Sequence, residues 1–207
     1  WVTGPTPLPE SLTTEQRRTL LEVARASIAR GLAHGAPLPT RAADYEPALR
    51  PLRATFVTLE LGDALRGCIG SLEAHQPLVE DVAQHAFDAA FQDPRFPPVT
   101  AEEAPRLTVH VSVLSPREPL DVRDEEELLR SLRPGVDGLL IAQGHRRATF
   151  LPSVWDSLPD PAQFLAHLKR KAGIPSGPSR EPLHAWRYTT ESFGDAGGGE
   201  APGCGSA

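Results

Sequence analysis

Residues 53–72 read RATFVTLELGDALRGCIGSL. The first half alternates: Val57, Leu59 and Leu61 point to one side, Phe56, Thr58 and Glu60 to the other, the period of a half-covered strand. Gly62 and Asp63 make a turn. Leu65–Leu72 reads as the returning strand of a hairpin, although its glycines weaken it. Pro77 then takes the first position of a helix running to about Phe91. Leu78, Val82, Ala86 and Ala89 mark its buried face.

The same pattern extends outward in both directions. Upstream, Thr13 and Thr14 offer N-caps for a helix to about Leu32, with Leu21, Ala24, Ile28 and Leu32 at helical spacing and stops near Gly31 and Gly35. Downstream, Leu107, Val109, Val111 and Val113 alternate with Thr108, His110 and Ser112 as a strand. Asp124–Leu132 reads as a short acidic helix ending before Pro134. Gly138–Ala142 and Arg147–Leu151 read as two strands around Gly144. Asp160 and Pro161 start a helix that reaches Lys171, and Arg187–Phe193 reads as a last strand. Hairpins are mixed with helices and regular βαβ alternation is missing. The expected fold is therefore α+β, with largely antiparallel sheets flanked by about four helices. Residues 1–11 read as an extended Pro-rich lead-in, 12–193 as a single domain, and 194–207 as a Gly-rich, disordered tail.

Composition narrows the function classes. With 17 Gly and 22 Pro in 207 residues, a long helical bundle is excluded. A net charge of −6 argues against a generally basic nucleic-acid binder. The apolar stretches are too short to span a bilayer. The two cysteines, Cys68 and Cys204, make neither a disulfide scaffold nor a zinc cage. No metal or cofactor is expected, and a reduced, cytoplasmic protein is the default. The chain begins at Trp1 and contains no Met, so the natural start is left open.

Chemistry concentrates in LRGCIGSL, residues 65–72. On a strand Arg66, Cys68 and Gly70 share one face and Leu65, Gly67 and Ile69 the other. Arg66 and Cys68 then lie about 6–7 Å apart, where a guanidinium favours the thiolate. Gly67 and Gly70 let another backbone or a ligand approach closely. The alternative is a small buried cysteine packed where only small residues fit. His85, beside the apolar stripe of its helix, is either a base for Cys68 or a hydrogen-bonded boundary residue. His75 is an exposed loop residue. Asp93-Pro94-Arg95-Phe96-Pro97-Pro98 is a rigid loop with room for a cis X-Pro bond. Its Asp and Arg either present charge to a substrate or form an internal pair that pins the loop. Glu73, Phe96 and Pro97 complete the candidate binding set with Gly67, Gly70, Asp93 and Arg95. Lys169, Arg170 and Lys171, followed by Arg180, suit a helix C-terminus, with a small phosphate or RNA patch as the weaker reading. The Asp124–Glu127 carboxylates suit a helix start and lack metal-site spacing.

LRGCIGSL resembles the signature of the AMMECR-type family, known in bacteria and archaea as AmmeMemoRadiSam system protein A. DPRFPPVTAEE (93–103), VSVLSP (111–116), GVDGLLI (135–141), ATFLPSVW (148–155), FLAHLKRKAG (164–173) and WRYTTESF (186–193) resemble the family in the same order. The resemblance implies a compact α+β fold of two subdomains. It also implies an association with a Memo-type protein and a radical SAM enzyme, with the reaction unassigned. It carries over Arg66, Gly67, Cys68 and Gly70 from the motif and Asp93, Arg95, Phe96 and Pro97 from the loop. Two readings follow. In the first, Cys68 is a thiolate nucleophile or covalent carrier, activated by Arg66 and His85, within a three-protein modification system. In the second, the protein is a non-catalytic ligand- or partner-binding module in which Cys68 is structural.

Overall fold

The computed structural model describes residues 11–175 and 181–195. The lead-in before residue 11, Arg180, and the tail beyond residue 195 with Cys204 lie outside them. The chain divides into two compact units, Trp1–Val111 and Ser112–Ala207. Among the described residues, four α-helices accompany eight strands in two four-stranded antiparallel sheets, ordered β2-β1-β3-β8 and β4-β7-β5-β6. The α+β expectation is correct. Among the described residues, no helix is long and apolar enough to cross a membrane.

In the first unit, α1 (Thr14–His34) opens with a capping box: Thr13 accepts the Gln16 N–H, and the Gln16 side chain accepts the Thr13 N–H. Such a cap contributes about 1 kcal/mol. The helix ends on Gly35 in the left-handed conformation. Gly31 lies inside the helix instead of ending it, because a Cβ there would collide with the Phe91 and Phe87 rings. The buried stripe runs through Leu20, Val23, Ala24, Ser27 and Ile28, while Leu32 is exposed. Of the expected stripe, Ala24 and Ile28 are buried, Leu21 is half-buried and Leu32 lies outside the buried face, which runs instead through Leu20 and Val23.

The hairpin β1 (Thr55–Leu61) and β2 (Ala64–Gly70) is antiparallel, with Thr58 opposite Cys68 and Leu59 opposite Gly67. Its register slips between Leu59 and Glu60, so Arg66 has no strand partner and is the bulged residue of β2. The helix α2 (Leu78–Phe91) packs on both strands and on α1. All four residues expected on its buried face are buried. The strand β3 (Leu107–Leu114) crosses the boundary between the units. Val57, Leu59, Val109 and Val111 are fully buried, each contributing about 1.5–3 kcal/mol.

The second unit holds β4 (Glu118–Leu120), α3 (Glu125–Ser131), β5 (Gly138–Gln143), β6 (Arg146–Phe150), α4 (Pro161–Lys171), β7 (His184–Tyr188) and β8 (Thr190–Gly194). Its core includes Leu128, Leu139, Ile141, Phe150, Leu165 and Leu168. Trp155 stacks on Phe164 with ring centroids 3.8 Å apart and donates its indole N–H to the Asp137 carbonyl at 2.7 Å. The expected last strand, Arg187–Phe193, is two strands in two different sheets, broken at Thr189. Both carboxylate and lysine runs take the helix-end roles read from the sequence. Asp124 caps α3, and Lys169, in the last turn of α4, pairs with Glu125 at 2.8 Å.

Candidate functional site

β2 is the edge strand of the first sheet. An edge strand leaves alternate N–H and C=O groups unpaired on its outer side. At Cys68 the loop after α2 takes both. The Cys68 N–H donates to Asp93 Oδ2 at 2.9 Å. Arg95 Nη2 donates to the Cys68 carbonyl at 3.2 Å. The two loop side chains also grip each other, Arg95 Nε on Asp93 Oδ1 at 3.0 Å and Nη2 on Oδ2 at 2.8 Å. Asp93 is 4% exposed. Hydrogen bonds from the Arg95 guanidinium, helped by the Cys68 N–H, pull its carboxyl down to about 2 against the cost of burial. The pair occupies the place of one residue on a neighbouring strand, one side chain accepting and the other donating.

Arg66, two residues back, is paired with Glu103, while its Nη1 is buried with no hydrogen-bond partner among the described residues. Its Nε and Nη2 form a two-pronged pair with Glu103 at 2.9 and 3.1 Å, and Nη2 also reaches the Pro98 carbonyl at 3.3 Å. The guanidinium and the Thr100 N–H together hold Glu103 at about 2. The Val99 N–H donates to the Ala90 carbonyl at 2.9 Å, tying the same loop back to α2. Phe96 is half-buried, 5.5 Å from the Arg95 guanidinium, and Pro97 is exposed. There is no cis peptide bond among the described residues, so the cis X-Pro expectation does not hold.

The Cys68 side chain is 3% exposed, and its Sγ lies 3.2 Å from Thr58 Oγ1. Its sulfur is in a disulfide, so the free, reduced thiol expected from the sequence is not the state of this structure. Gly67 and Gly70 are small for structural reasons. A Cβ on Gly67 would strike the Ala89 carbonyl oxygen of α2, and one on Gly70 would strike the Thr55 carbonyl and the Phe56 ring. Both close approaches are to the protein's own backbone and side chains.

His85 belongs to a different cluster. Its Nδ1 lies 3.1 Å from Thr55 Oγ1 and 3.1 Å from Asp81 Oδ2. Thr55 donates to Asp81 at 2.6 Å, and Gln76 donates to the other carboxylate oxygen at 3.0 Å. Thr55 and Thr58 are three residues apart on one strand, so their side chains leave opposite faces. Cys68 is on the Thr58 face and His85 is on the Thr55 face. The structure therefore brings together Cys68, Asp93 and Arg95, sets Arg66 beside them on Glu103, and leaves His85 across the sheet. Glu73 lies in the turn after β2, its carbonyl accepting from Ser71 at 2.8 Å, and its carboxylate is 3.6 Å from the exposed His75.

Sequence reasoning did not single out Glu103, Thr58, Thr55 or Asp81. For Asp81 the signal was present: a carboxylate four residues before His85, next to the apolar stripe. Among the described residues no group of three or more His, Cys, Asp or Glu is arranged to hold a metal ion.

The AMMECR1 family model matches residues 21–193. A protein of Methanothermobacter thermautotrophicus is 37% identical over 192 residues, 90% of this chain and 97% of its own length. Protein MJ0810 of Methanocaldococcus jannaschii is 41% identical over 138 residues, 63% of this chain and 67% of its own. The crystal structure of uncharacterized protein PH0010 from Pyrococcus horikoshii is similar at a TM-score of 0.74 and 34% identity, covering 86% of this chain and 90% of that one. The motifs that carry the resemblance lie inside the matched span, and this chain belongs to the AMMECR1 family.

Proposed function

We propose that the protein is a non-catalytic binding component of a modification system of the AmmeMemoRadiSam type. A Memo-type protein and a radical SAM enzyme are its cytoplasmic partners and supply the chemistry. Cys68 is a structural residue in this reading. One observation carries it: the charged groups of this site are paired with one another, Arg66 with Glu103 and Asp93 with Arg95. Arg66 is neutralised by Glu103, and a carboxylate, Asp93, sits on the Cys68 N–H. A thiolate nucleophile needs positive charge or a base at hand. Here each of the two guanidinium groups is matched by a carboxylate, Arg95 by Asp93 and Arg66 by Glu103, and His85 lies on the other face of the sheet.

The test uses reduced protein. Alkylation of Cys68, resolved by mass spectrometry, is followed against pH in the folded state and in urea. The expected result is a folded-state rate at least about a hundredfold below the unfolded one, as for a thiol closed off by packing. In parallel, Cys68→Ala is expected to fold and still capture the Memo-type partner. Rapid alkylation of folded protein below neutral pH, or loss of capture by a folded Cys68→Ala, refutes the proposal.

A further inference from the structure

The core face of β5 changes character at its end. Leu139 and Ile141 belong to the core of the second unit, and by strand period Gln143 follows them on the same face. Gln143 is 7% exposed. An amide at a position that the period assigns to an aliphatic side chain needs partners for its polar atoms. Its Nε2 donates to the Glu181 carbonyl at 2.9 Å, which fixes the way the amide faces. Among the described residues its Oε1 has no hydrogen-bond partner, and it is not one of the orphaned polar atoms sealed inside the protein.

Gln143 borders a cavity of about 250 Å³ in the second unit. Leu128 of α3, Ile174, and the partly buried Val122 and Leu183 give it apolar walls. The charged groups at its margin select no single sign. Lys169 is matched by Glu125 at 2.8 Å, and Asp124 Oδ1 accepts the Glu127 N–H at 2.8 Å. Arg123 and Glu181 add one charge of each sign. The space is sufficient for a substituted six-membered ring, since an apolar cavity of about 150 Å³ admits benzene.

We propose that this cavity binds a small, uncharged aliphatic molecule carrying one O–H or N–H donor, which Gln143 Oε1 accepts while the hydrocarbon part lies against Leu128, Ile174 and Leu183. A few polar groups set in apolar walls are the usual composition of a small-molecule site. An ion would exchange its hydration for those walls and a single neutral acceptor, which disfavours it. A neutral donor satisfies the one unmet group and buries the rest of its surface. The inference is independent of the role assigned to Cys68, since the site lies wholly on residues of the second unit.

The experiment is a titration of the full chain carrying carbon-13 in its isoleucine δ-methyl groups. There are four isoleucines, Ile28, Ile69, Ile141 and Ile174, each assigned by its Ile→Val variant. Ile174 lines the cavity, and Ile28 and Ile69 in the first unit are the references for the folded state. The probes are cyclohexanol and cyclohexanecarboxamide as donors, cyclohexyl methyl ether as the shape without a donor, and cyclohexylammonium and cyclohexanecarboxylate as ions. The donors are expected to shift Ile174 saturably with a Kd on the order of 1 mM, leaving Ile28 and Ile69 in place. The ether is expected to bind about fivefold more weakly than cyclohexanol, and both ions more weakly still. Gln143→Met, which removes the acceptor at similar length, is expected to bring cyclohexanol to the affinity of the ether. Should Gln143→Met also move Ile28 or Ile69, Val122→Phe takes its place: it fills the cavity, leaves the amide intact, and is expected to abolish binding of every probe. No saturable shift with either donor, an ether as tight as the alcohol, an ion tighter than the alcohol, or undiminished binding by a folded variant overturns the proposal.

Discussion

Replacing Asp93 tests the clamp on the edge strand, because the carboxylate does two separable jobs. It accepts the Cys68 N–H, and it holds the Arg95 guanidinium by charge. Asp93→Asn keeps an oxygen in place and removes the charge. Asp93→Ala removes both. With the carboxyl at about 2 in the folded protein and about 3.9 in the unfolded chain, the charge contributes about 2.5 kcal/mol. The unfolded chain takes up its proton first as pH falls. The contribution is therefore whole above about pH 5, declines between about pH 4 and 2, and is absent below that. Asp93→Ala adds the cost of a buried, unsatisfied N–H, about 1–3 kcal/mol at any pH. In urea, at a typical slope of about 2 kcal/mol per molar, Asp93→Asn should lower the midpoint by about 1 M at pH 7 and Asp93→Ala by about 2 M. Far-ultraviolet circular dichroism follows the transition, and hydrogen exchange at the Cys68 amide gives a local reading. That amide should stay protected in Asp93→Asn and exchange quickly in Asp93→Ala. A difference between wild type and Asp93→Asn that stays flat from pH 7 to pH 3 would refute the electrostatic part. An Asp93→Ala amide as protected as wild type would refute the hydrogen-bond part.

Three further outcomes follow from the same geometry. Gly67→Ala should destabilise the first unit by more than about 2 kcal/mol, since the new methyl meets the backbone of α2 and not a movable side chain; a melting temperature within a degree or so of wild type would contradict the close packing. Arg66→Ala should raise the Glu103 carboxyl from about 2 towards its ordinary value near 4, read by carbon-13 titration of the side chain; a Glu103 that still titrates near 2 would mean that Arg66 is not its main partner. Burial pushes the Tyr188 hydroxyl above its ordinary range, so a Tyr45→Phe variant, in which Tyr188 is the only tyrosine, should show no phenolate absorbance up to about pH 11 while folded; an earlier rise would contradict the enclosure of Tyr188 between Thr149 and Phe150.

The legible parts of the fold were those written in local periodicity. The hairpin, α2 and α4 follow from alternation, helical spacing and the Asp160–Pro161 start, where Asp160 caps the helix through the Gln163 N–H. Two features were not written there. β4 has three residues and a central proline, too short for a period to show. Arg187–Phe193 alternates continuously, yet the chain leaves one sheet at Tyr188 and joins the other at Thr190. Alternation records which face is covered, not which neighbour pairs. The site divides in the same way. The Asp93–Arg95 spacing correctly suggested an internal pair, whereas strand parity is interrupted at Arg66 by the bulge. What Arg66 does depends on Glu103, 37 residues away, and no local pattern reports that. His85 was ambiguous because helical spacing shows that a residue faces the sheet without showing which side of the sheet the cysteine takes.

The LRGCIG strand and the Asp93–Arg95 loop are stretches separated by a whole helix, and the structure makes them one device. A strand at a sheet edge must be closed or it invites pairing with another chain. Closing it with a further strand would need a ladder, whereas Asp-X-Arg supplies an acceptor and a donor at one residue's spacing. The glycines flanking Cys68 let α2 and β1 close in around that strand, and Arg66 fixes the far end of the loop through Glu103 and Pro98. A residue in the middle of such an arrangement is required to be small and buried, which Cys68 is. Sequence distinctiveness here measures the number of simultaneous geometric demands on a segment, and a strand that meets a helix, a bulge and a two-residue clamp carries many.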